Sequence, residues 1–106
     1  MQVAPLLPDE EIRVKNLLSY GILDSAEEKD FDDLAELIAQ VCNCQYALIT
    51  FLDKERQWFK ARRHVEIKES SRETSFCSHT ILQDDVMVVN NAKKDKRFFD
   101  NPHVIN

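Results

Sequence analysis

The sequence predicts an α+β fold, and three patterns along the chain support this. Residues 9–20 and 25–42 carry apolar side chains at the spacing of amphipathic helices. Residues 46–52 form the short apolar run typical of a strand, and a polar turn joins them to a second candidate strand at 57–62. The chain has 106 residues, which is enough for one domain. We therefore expect a single α+β domain.

The first predicted helix spans residues 9–20. Asp9, Glu10 and Glu11 lie in its first turn, where the helix dipole favours negative charge, and Gly21 supplies a stop. Its apolar residues form an incomplete stripe of Ile12, Val14, Leu17 and Leu18. Such a stripe fits either a helix packed on its own domain or a helix that pairs with a second copy in a dimer.

The second predicted helix spans residues 25–42 and has a clearer start. Ser25 is the expected N-cap, and Glu28, three residues later, would complete a capping box. The apolar residues recur at helical spacing and are Phe31, Leu34, Ala35, Ile38, Val41 and Cys42. We expect this face to pack against a sheet as part of the core.

Residues 46–52 and 57–62 are predicted to form a β-hairpin around the polar turn 53–56. In the first strand both alternating sets are apolar, with Tyr46, Leu48 and Leu52 on one side and Ala47, Ile49 and Phe51 on the other. Because such a strand is covered on both faces, we expect it inside the sheet. In the second strand Trp58 and Phe59 face opposite ways, and we favour a structural role for Trp58 over stacking on a ligand.

The second half of the chain has weaker patterns. Residues 63–74 are polar and irregular, and a short helix is predicted over residues 75–82. Residues 86–89 are apolar on both faces and are predicted to form a third strand. A loop follows to the last residue.

The composition excludes several classes of function. A formal net charge of −5 argues against a general nucleic-acid binder. The single glycine excludes the glycine-rich phosphate loops of dinucleotide and P-loop enzymes. Three cysteines cannot all pair within one chain, which favours reduced thiols and a cytoplasmic location. No signal peptide is visible, and the longest apolar stretch, 46–52, is too short for this segment to insert into a membrane.

A few residues suggest catalysis or metal binding, but their spacing is unfavourable. Cys77 and His79 project to nearly opposite sides if they lie on a helix, so a catalytic pair is not expected. Adding Cys42 and Cys44 gives four possible zinc ligands, but each pair is separated by one residue instead of the usual two to four. The adjacent acids at 84–85 are expected to be solvated in a turn. We therefore predict no catalytic residue, no metal site and no cofactor.

Several strings follow one another in an order that is informative as a whole. They are Leu7-Pro8, Tyr20 to Asp24, Phe31-Asp32, Ala47 to Ile49, Asp53 to Lys60, Ser75 to His79 and Asp95 to Pro102. Together they resemble the bacterial GAF domains found at the N-terminus of sensor histidine kinases and diguanylate cyclases. The resemblance runs from Leu7 to about Val104, and residues 1–106 are accordingly identified as a single, partial GAF domain.

The GAF resemblance implies a PAS-like central antiparallel β-sheet flanked by helices, with a ligand pocket on the face that the terminal helices leave free. It implies that Phe76, Cys77 and His79 lie on a short helix beside this pocket. It also implies that Asp95 and Phe98 lie on the loop that caps it. These five residues are the expected ligand-binding set.

The resemblance further implies a non-catalytic, cytoplasmic sensory domain. Such a domain binds a small-molecule effector, forms a homodimer and controls an output domain of the histidine kinase or diguanylate cyclase type. Two alternatives stay open. One is a structural dimerisation module without a ligand. The other is a redox enzyme that uses Cys77, related to the free methionine sulfoxide reductases.

The sequence departs from the GAF pattern in two ways. GAF domains run to roughly 150 residues, whereas this chain stops after its third expected strand, and by resemblance a missing strand would lie between 46–52 and 86–89. The uncovered edges would then pair with another copy, unless the sequence is the ordered part of a longer protein. The order Cys77, Ser78, His79 also differs from the Cys-His dipeptide by which phytochrome-type GAF domains hold a bilin, so a covalent chromophore is not expected.

Overall fold

The computed structural model describes residues 1–105 and confirms an α+β fold, with helices packed against an antiparallel sheet of three strands. The sheet has the order β1-β2-β3, with β2 in the centre. In chain order the elements are α1 (Glu10–Ser19), α2 (Lys29–Val41), β1 (Ala47–Leu52), β2 (Arg56–Arg63), β3 (Glu69–Ser71), α3 (Cys77–Thr80), a 3-10 turn (Ala92–Lys94) and α4 (Pro102–Ile105).

Helix α1 begins with two acidic residues in its first turn and is followed by Gly21, whose φ of 62° only glycine adopts without strain. None of its residues is buried, and Ile12 and Leu18 are 63% and 58% exposed. Polar contacts at its N-terminal end fix the helix. Arg13 donates to the carbonyl oxygen of Leu52 at 2.5 Å, at the end of β1.

The predicted capping box at Ser25 is wrong, because α2 begins four residues later at Lys29. The Ser25 hydroxyl donates to the carbonyl oxygen of Ile22 at 2.6 Å instead of capping the helix. The Lys60 ammonium group donates to Ser25 Oγ at 2.8 Å and to the Ala26 carbonyl at 2.7 Å. These tertiary contacts hold residues 25–26 outside the helix, which local sequence cannot reveal.

Helix α2 packs on the sheet through small side chains. Ala35 and Ala39 form a buried cluster with Ala47 of β1 and Ala61 of β2, and Phe31 packs at its border. The expectation that the whole apolar stripe is core is wrong for part of it, because Leu34, Ile38, Val41 and Cys42 are all exposed. The sheet of residues 1–105 is narrow and covers only the alanine side of the stripe.

Two predictions about the strands are also wrong. Strand β1 was expected inside the sheet, but it is an edge strand, and β2 is the central strand with most of its residues buried. Residues 86–89 were expected to form a strand, but they pair with no strand, and Val86 is 86% exposed. The third strand is β3, in the segment expected to be irregular, where Ser70 pairs with Gln57 and Ser71 with Arg56.

A β-bulge in β2 changes the pairing of β1 with β2. Ile49 pairs with Ala61 and Thr50 pairs with Phe59, so Lys60 has no partner in the register. The Lys60 side chain is fully buried, lies 5.3 Å from the centre of the Phe31 ring and forms an ion pair of 2.5 Å with Glu28. Ala61 thus faces α2, while Phe59 faces the opposite side of the sheet.

The last third of the described chain is held mainly by turns. The predicted helix over 75–82 is shorter in the structure and spans Cys77–Thr80. None of the helices within residues 1–105 has the length and apolar character needed to cross a lipid bilayer.

Candidate functional site

A cavity of about 290 Å³ lies on the sheet face opposite α2. Its apolar lining residues are Leu48, Phe59, Val65, Ile67 and Phe76. Its polar lining residues are Gln57, Ser70, Thr74, Ser75, Cys77 and His103. Side chains alternate between the faces of a strand, so Leu48 lines the cavity while its neighbours Ala47 and Ile49 pack on α2. The same strands therefore build both the core and the cavity floor.

One wall of the cavity consists of residues 74–77, which are fixed by hydrogen bonds around Ser75. The Ser75 hydroxyl donates to the Arg72 carbonyl oxygen at 2.8 Å and accepts the backbone N–H of Ser78 at 3.2 Å. Ser75 is only 4% exposed. The wall therefore has a defined position relative to Arg72 and to the start of α3.

Cys77 lies where this wall meets the sheet. The side-chain amide of Gln57 donates to Cys77 Sγ at 2.9 Å, and Thr50 Oγ1 lies 3.6 Å from the same sulfur. His79, two residues later, points elsewhere, since its Nε2 lies 3.1 Å from the carbonyl oxygen of Gln2. The thiol and the imidazole thus contact different parts of the fold and do not form the contact that an activated nucleophile requires.

Phe98 is the most deeply buried aromatic residue of the described chain, with 0% exposure. Its ring stacks on Phe76 with centroids 4.0 Å apart and meets His79 edge-on at 5.0 Å. The Arg97 guanidinium carbon lies 5.0 Å from the Phe98 ring centre. Phe98 therefore packs against Phe76 on the side away from the cavity, and it does not line the cavity itself.

Asp95 shapes the loop that carries Phe98. Its carboxylate accepts hydrogen bonds from the Arg97 guanidinium at 2.8 Å and from the Arg97 backbone N–H at 2.8 Å. Hydrogen bonds from the Arg97 side chain, and then from its backbone, lower the pKa of Asp95 to about 2. The carbonyl oxygen of Asp95 also accepts the backbone N–H groups of Phe98 and Phe99. The carboxylate and the carbonyl oxygen of Asp95 thus bond to residues 97–99 of its own loop.

The five residues expected to bind a ligand therefore occupy two adjoining places. Phe76 and Cys77 line the cavity, whereas His79, Asp95 and Phe98 form a cluster on the other side of Phe76. The sequence reasoning missed Gln57 and Ser70, which also line the cavity. The strand period places Gln57 on the same face as Phe59 and could have revealed it, but β3 itself was not predicted.

Cysteines and depressions elsewhere in residues 1–105 can be compared with this cavity as possible sites. Cys42 and Cys44 are exposed near the end of α2, and Cys44 Sγ contacts only the Cys42 carbonyl oxygen at 3.5 Å. In the described part of the chain, no three His, Cys, Asp or Glu side chains are arranged to hold a metal ion. Four larger depressions, of about 490 to 700 Å³, lie elsewhere on the described chain, and charged side chains contribute to the lining of each. The arginines that line them are already paired, Arg62 with Glu27, Arg63 with Glu36 and Arg72 with Glu10.

Comparison with known proteins gives one clear relationship. No protein-family model matches the chain. Over 104 residues the chain is 34% identical to a cyclic di-GMP phosphodiesterase of Pseudomonas aeruginosa. The match covers 98% of this chain but only 18% of that protein, so the chain spans less than a fifth of the relative's length. The chain is thus related to one segment of a cyclic di-GMP signalling protein, and its context is signal transduction.

Proposed function

We propose that the chain is a non-catalytic, GAF-type sensory domain that binds a small molecule and controls an output domain on the same polypeptide or on a partner. One observation carries this proposal. Nearly the whole chain matches a segment that makes up 18% of a cyclic di-GMP phosphodiesterase. A module of this kind within a much larger signalling enzyme fits an input domain better than a complete enzyme.

The cavity supports the ligand-binding part of the proposal. Binding sites for small molecules are typically concave and mostly apolar, with a few polar groups that orient the ligand. The cavity combines apolar side chains such as Phe59 and Phe76 with the amide of Gln57 and the hydroxyl of Ser70. Its volume of about 290 Å³ lies near the lower end of the usual range for ligand pockets, about 300–1,000 Å³.

A hydrogen-bonded connection from the cavity wall to α1 supports the regulatory part. The Arg72 carbonyl oxygen accepts the backbone N–H of Ser75 at 3.1 Å, and the Arg72 guanidinium forms an ion pair with Glu10 of α1. A ligand that binds one arrangement of the wall more tightly than another shifts the population toward it. Helix α1 is the element through which this shift reaches the output domain.

The proposal includes a cytoplasmic homodimer whose output chemistry is that of a kinase, a cyclase or a phosphodiesterase. The surface of α1 supports the dimer, because Ile12 and Leu18 are 63% and 58% exposed, and Tyr20, just after the helix, is 81% exposed. Apolar residues left at the surface of a helix favour association with a second helix. In such a dimer, α1 of each copy would carry the signal.

Native mass spectrometry of the protein gently purified from its host tests the proposal, because it reads retained ligand mass and subunit number together. We expect a reproducible additional mass on a dimer. Ile67→Trp, which fills the cavity from its rim, should remove this mass. Leu37→Trp is the matched control, since Leu37 is 55% exposed on α2 and lies outside the cavity. A bare dimer in every preparation would contradict ligand sensing and favour a structural dimerisation module.

A further inference from the structure

We infer that the cavity selects a small, uncharged molecule with an apolar body and one carboxamide-like group that both donates and accepts a hydrogen bond. This inference rests on the proposed function, since it concerns the ligand of the same cavity. It follows from two unpaired polar groups on the cavity floor, from the absence of charged lining residues and from the size of the cavity.

Gln57 supplies the first unpaired group. Its side-chain nitrogen donates to Thr50 Oγ1 at 3.0 Å and to Cys77 Sγ at 2.9 Å. Its side-chain oxygen accepts no hydrogen bond from any residue between 1 and 105 and is not among the described atoms closed off from solvent, so a ligand in the cavity can reach it. Turning the amide over would exchange the two atoms and leave the nitrogen unpaired instead. Because unpaired polar groups are costly when they lose water, a ligand that bonds to Gln57 gains from doing so.

Ser70 supplies the second unpaired group. It pairs directly with Gln57 in the register of β2 and β3, so both side chains lie on the same face of the sheet. Side chains opposite each other on neighbouring strands have Cβ atoms about 5 Å apart. The Ser70 hydroxyl makes no hydrogen bond with the described part of the chain. An N–H of the ligand can therefore donate to Gln57 while an adjacent carbonyl oxygen accepts from Ser70.

The uncharged lining of the cavity disfavours anionic ligands. None of the lining residues is Lys, Arg, Asp or Glu, and the ring of His103, at the rim, is bonded to Thr74 Oγ1 at 3.0 Å. A phosphate or carboxylate would lose its hydration here without gaining a cation, which is strongly unfavourable. The cavity therefore disfavours cyclic nucleotides and other phosphate esters.

The size of the cavity points the same way. A volume of about 290 Å³ is close to the smallest that ligand pockets usually have, about 300 Å³. A single six-membered ring with a carboxamide fits this volume. A cyclic mononucleotide has more than twice as many non-hydrogen atoms as such a compound, so the size of the cavity favours the smaller molecule.

Three probes test the inference by NMR titration of the ¹⁵N-labelled protein. Benzamide and benzoate have almost the same shape and differ in charge, and cyclic AMP represents the nucleotides. We expect benzamide to shift the backbone amide signals of Gln57, Ser70 and Cys77, and to bind at least about tenfold more tightly than benzoate, because benzoate cannot donate to Gln57 and must also give up hydration of its charge. Cyclic AMP should leave these signals unchanged.

Matched variants locate the binding groups. Ser70→Ala should weaken benzamide binding about fivefold, as expected for one lost hydrogen bond. Ser71→Ala is the control, because Ser71 lies on the same strand but faces away from the cavity. Gln57→Leu should reduce the preference for benzamide over benzoate, because the hydrogen bond to the ligand N–H is lost while the cost of burying the benzoate charge remains. If Gln57→Leu does not fold, the serine variants test the inference alone. Equal benzamide affinity in Ser70→Ala and Ser71→Ala would then contradict a hydrogen bond from Ser70 to the ligand.

The outcomes separate this inference from the proposed function. Benzoate or cyclic AMP binding in the cavity as tightly as benzamide would overturn the inference, as would the absence of any binding in the cavity. If cyclic AMP binds there and moves the α1 signals, the inference fails while the sensory function stands. If benzamide binds as expected but the α1 signals do not respond and no retained ligand is found, the sensory function fails while the ligand class stands.

Discussion

Arg72 and Glu10 form an ion pair that fastens α1 to the chain just beyond β3. The two residues are 62 positions apart, and the Arg72 guanidinium contacts both carboxylate oxygens of Glu10. Their side chains are only 8% and 12% exposed. Arg13 binds the same carboxylate at 2.8 and 3.0 Å. Glu10 therefore lies between two guanidinium groups, and it connects the helix to the cavity wall that follows Arg72.

Glu10→Gln should destabilise the fold in a pH-dependent way. Hydrogen bonds from Arg13 and then from Arg72 lower the pKa of Glu10 from 4.5 to about 2. A lowered pKa in the folded state stabilises the protein above the unfolded pKa, and this contribution is lost as the pH falls through the folded pKa. We expect urea unfolding to show a difference of roughly 3 kcal/mol between wild type and variant at pH 7. The difference should shrink between pH 4.5 and pH 2.

Asp33→Asn is the control for this experiment. Asp33 also forms an ion pair, with Lys29 at 2.5 Å, but their side chains are 61% and 86% exposed. Exposed pairs contribute little, so this variant should lose only a small fraction of what Glu10→Gln loses at pH 7. A Glu10→Gln effect that stays constant from pH 7 to pH 2.5 would contradict a role for the ionised carboxylate.

The contrast between α2 and Val86–Val89 shows what the sequence could predict. The helical spacing around Phe31 and Ala35 identified α2, and the apolar run with its polar turn identified the β1–β2 hairpin, because both patterns arise from local geometry. The apolar residues 86–89 looked like a strand, but a strand requires a partner, and pairing depends on distant parts of the chain. The polar segment Glu69–Ser71 forms a strand because β2 offers it an edge.

In the candidate site, too, the sequence predicted features that depend on local pattern and missed those that depend on tertiary contacts. From the string Phe76 to His79, Phe76 and Cys77 line the cavity in the structure, and their binding of a ligand stays a prediction. The sequence could not tell which side of that wall Phe98 occupies, because the stacking of Phe98 on Phe76 is a tertiary contact. Gln57 and Ser70 become a pair only through the register of β2 and β3. The chemistry of the cavity therefore emerged only from the folded structure.

Phe98→Ala should destabilise the protein much more than Phe99→Ala, although the two residues are neighbours. Phe98 is fully buried between Phe76 and His79, whereas Phe99 is 55% exposed. Deleting a buried phenylalanine side chain costs about 3–5 kcal/mol, and an exposed one loses less than about 1 kcal/mol. Urea unfolding monitored by circular dichroism measures both differences.

If Phe98→Ala does not fold, Phe98→Leu gives a smaller version of the same test. Leucine keeps most of the apolar volume but loses the stacking on Phe76, so we expect a loss of about 1–2 kcal/mol. In folded Phe98→Leu, benzamide affinity should change less than in Ser70→Ala, because Phe98 does not line the cavity. Equal stabilities for the Phe98 and Phe99 variants would contradict the packing of this cluster.

The reactivity of Cys77 should report occupancy of the cavity. A variant with Cys42→Ser and Cys44→Ser leaves Cys77 as its single thiol, and Cys77→Ser leaves the two exposed thiols. Cys77 is half-buried and contacts Gln57 and Thr50, so a bulky aromatic disulfide reagent should react with it about tenfold more slowly than with the exposed pair. Saturating benzamide should slow Cys77 further, since it occupies the space beside the sulfur, and should leave Cys42 and Cys44 unaffected. The rates follow from absorbance of the released thiolate at fixed pH. If Cys77 reacts as fast as the exposed thiols, its partial burial is contradicted. If benzamide slows all three thiols equally, the cavity beside Cys77 is not its binding site.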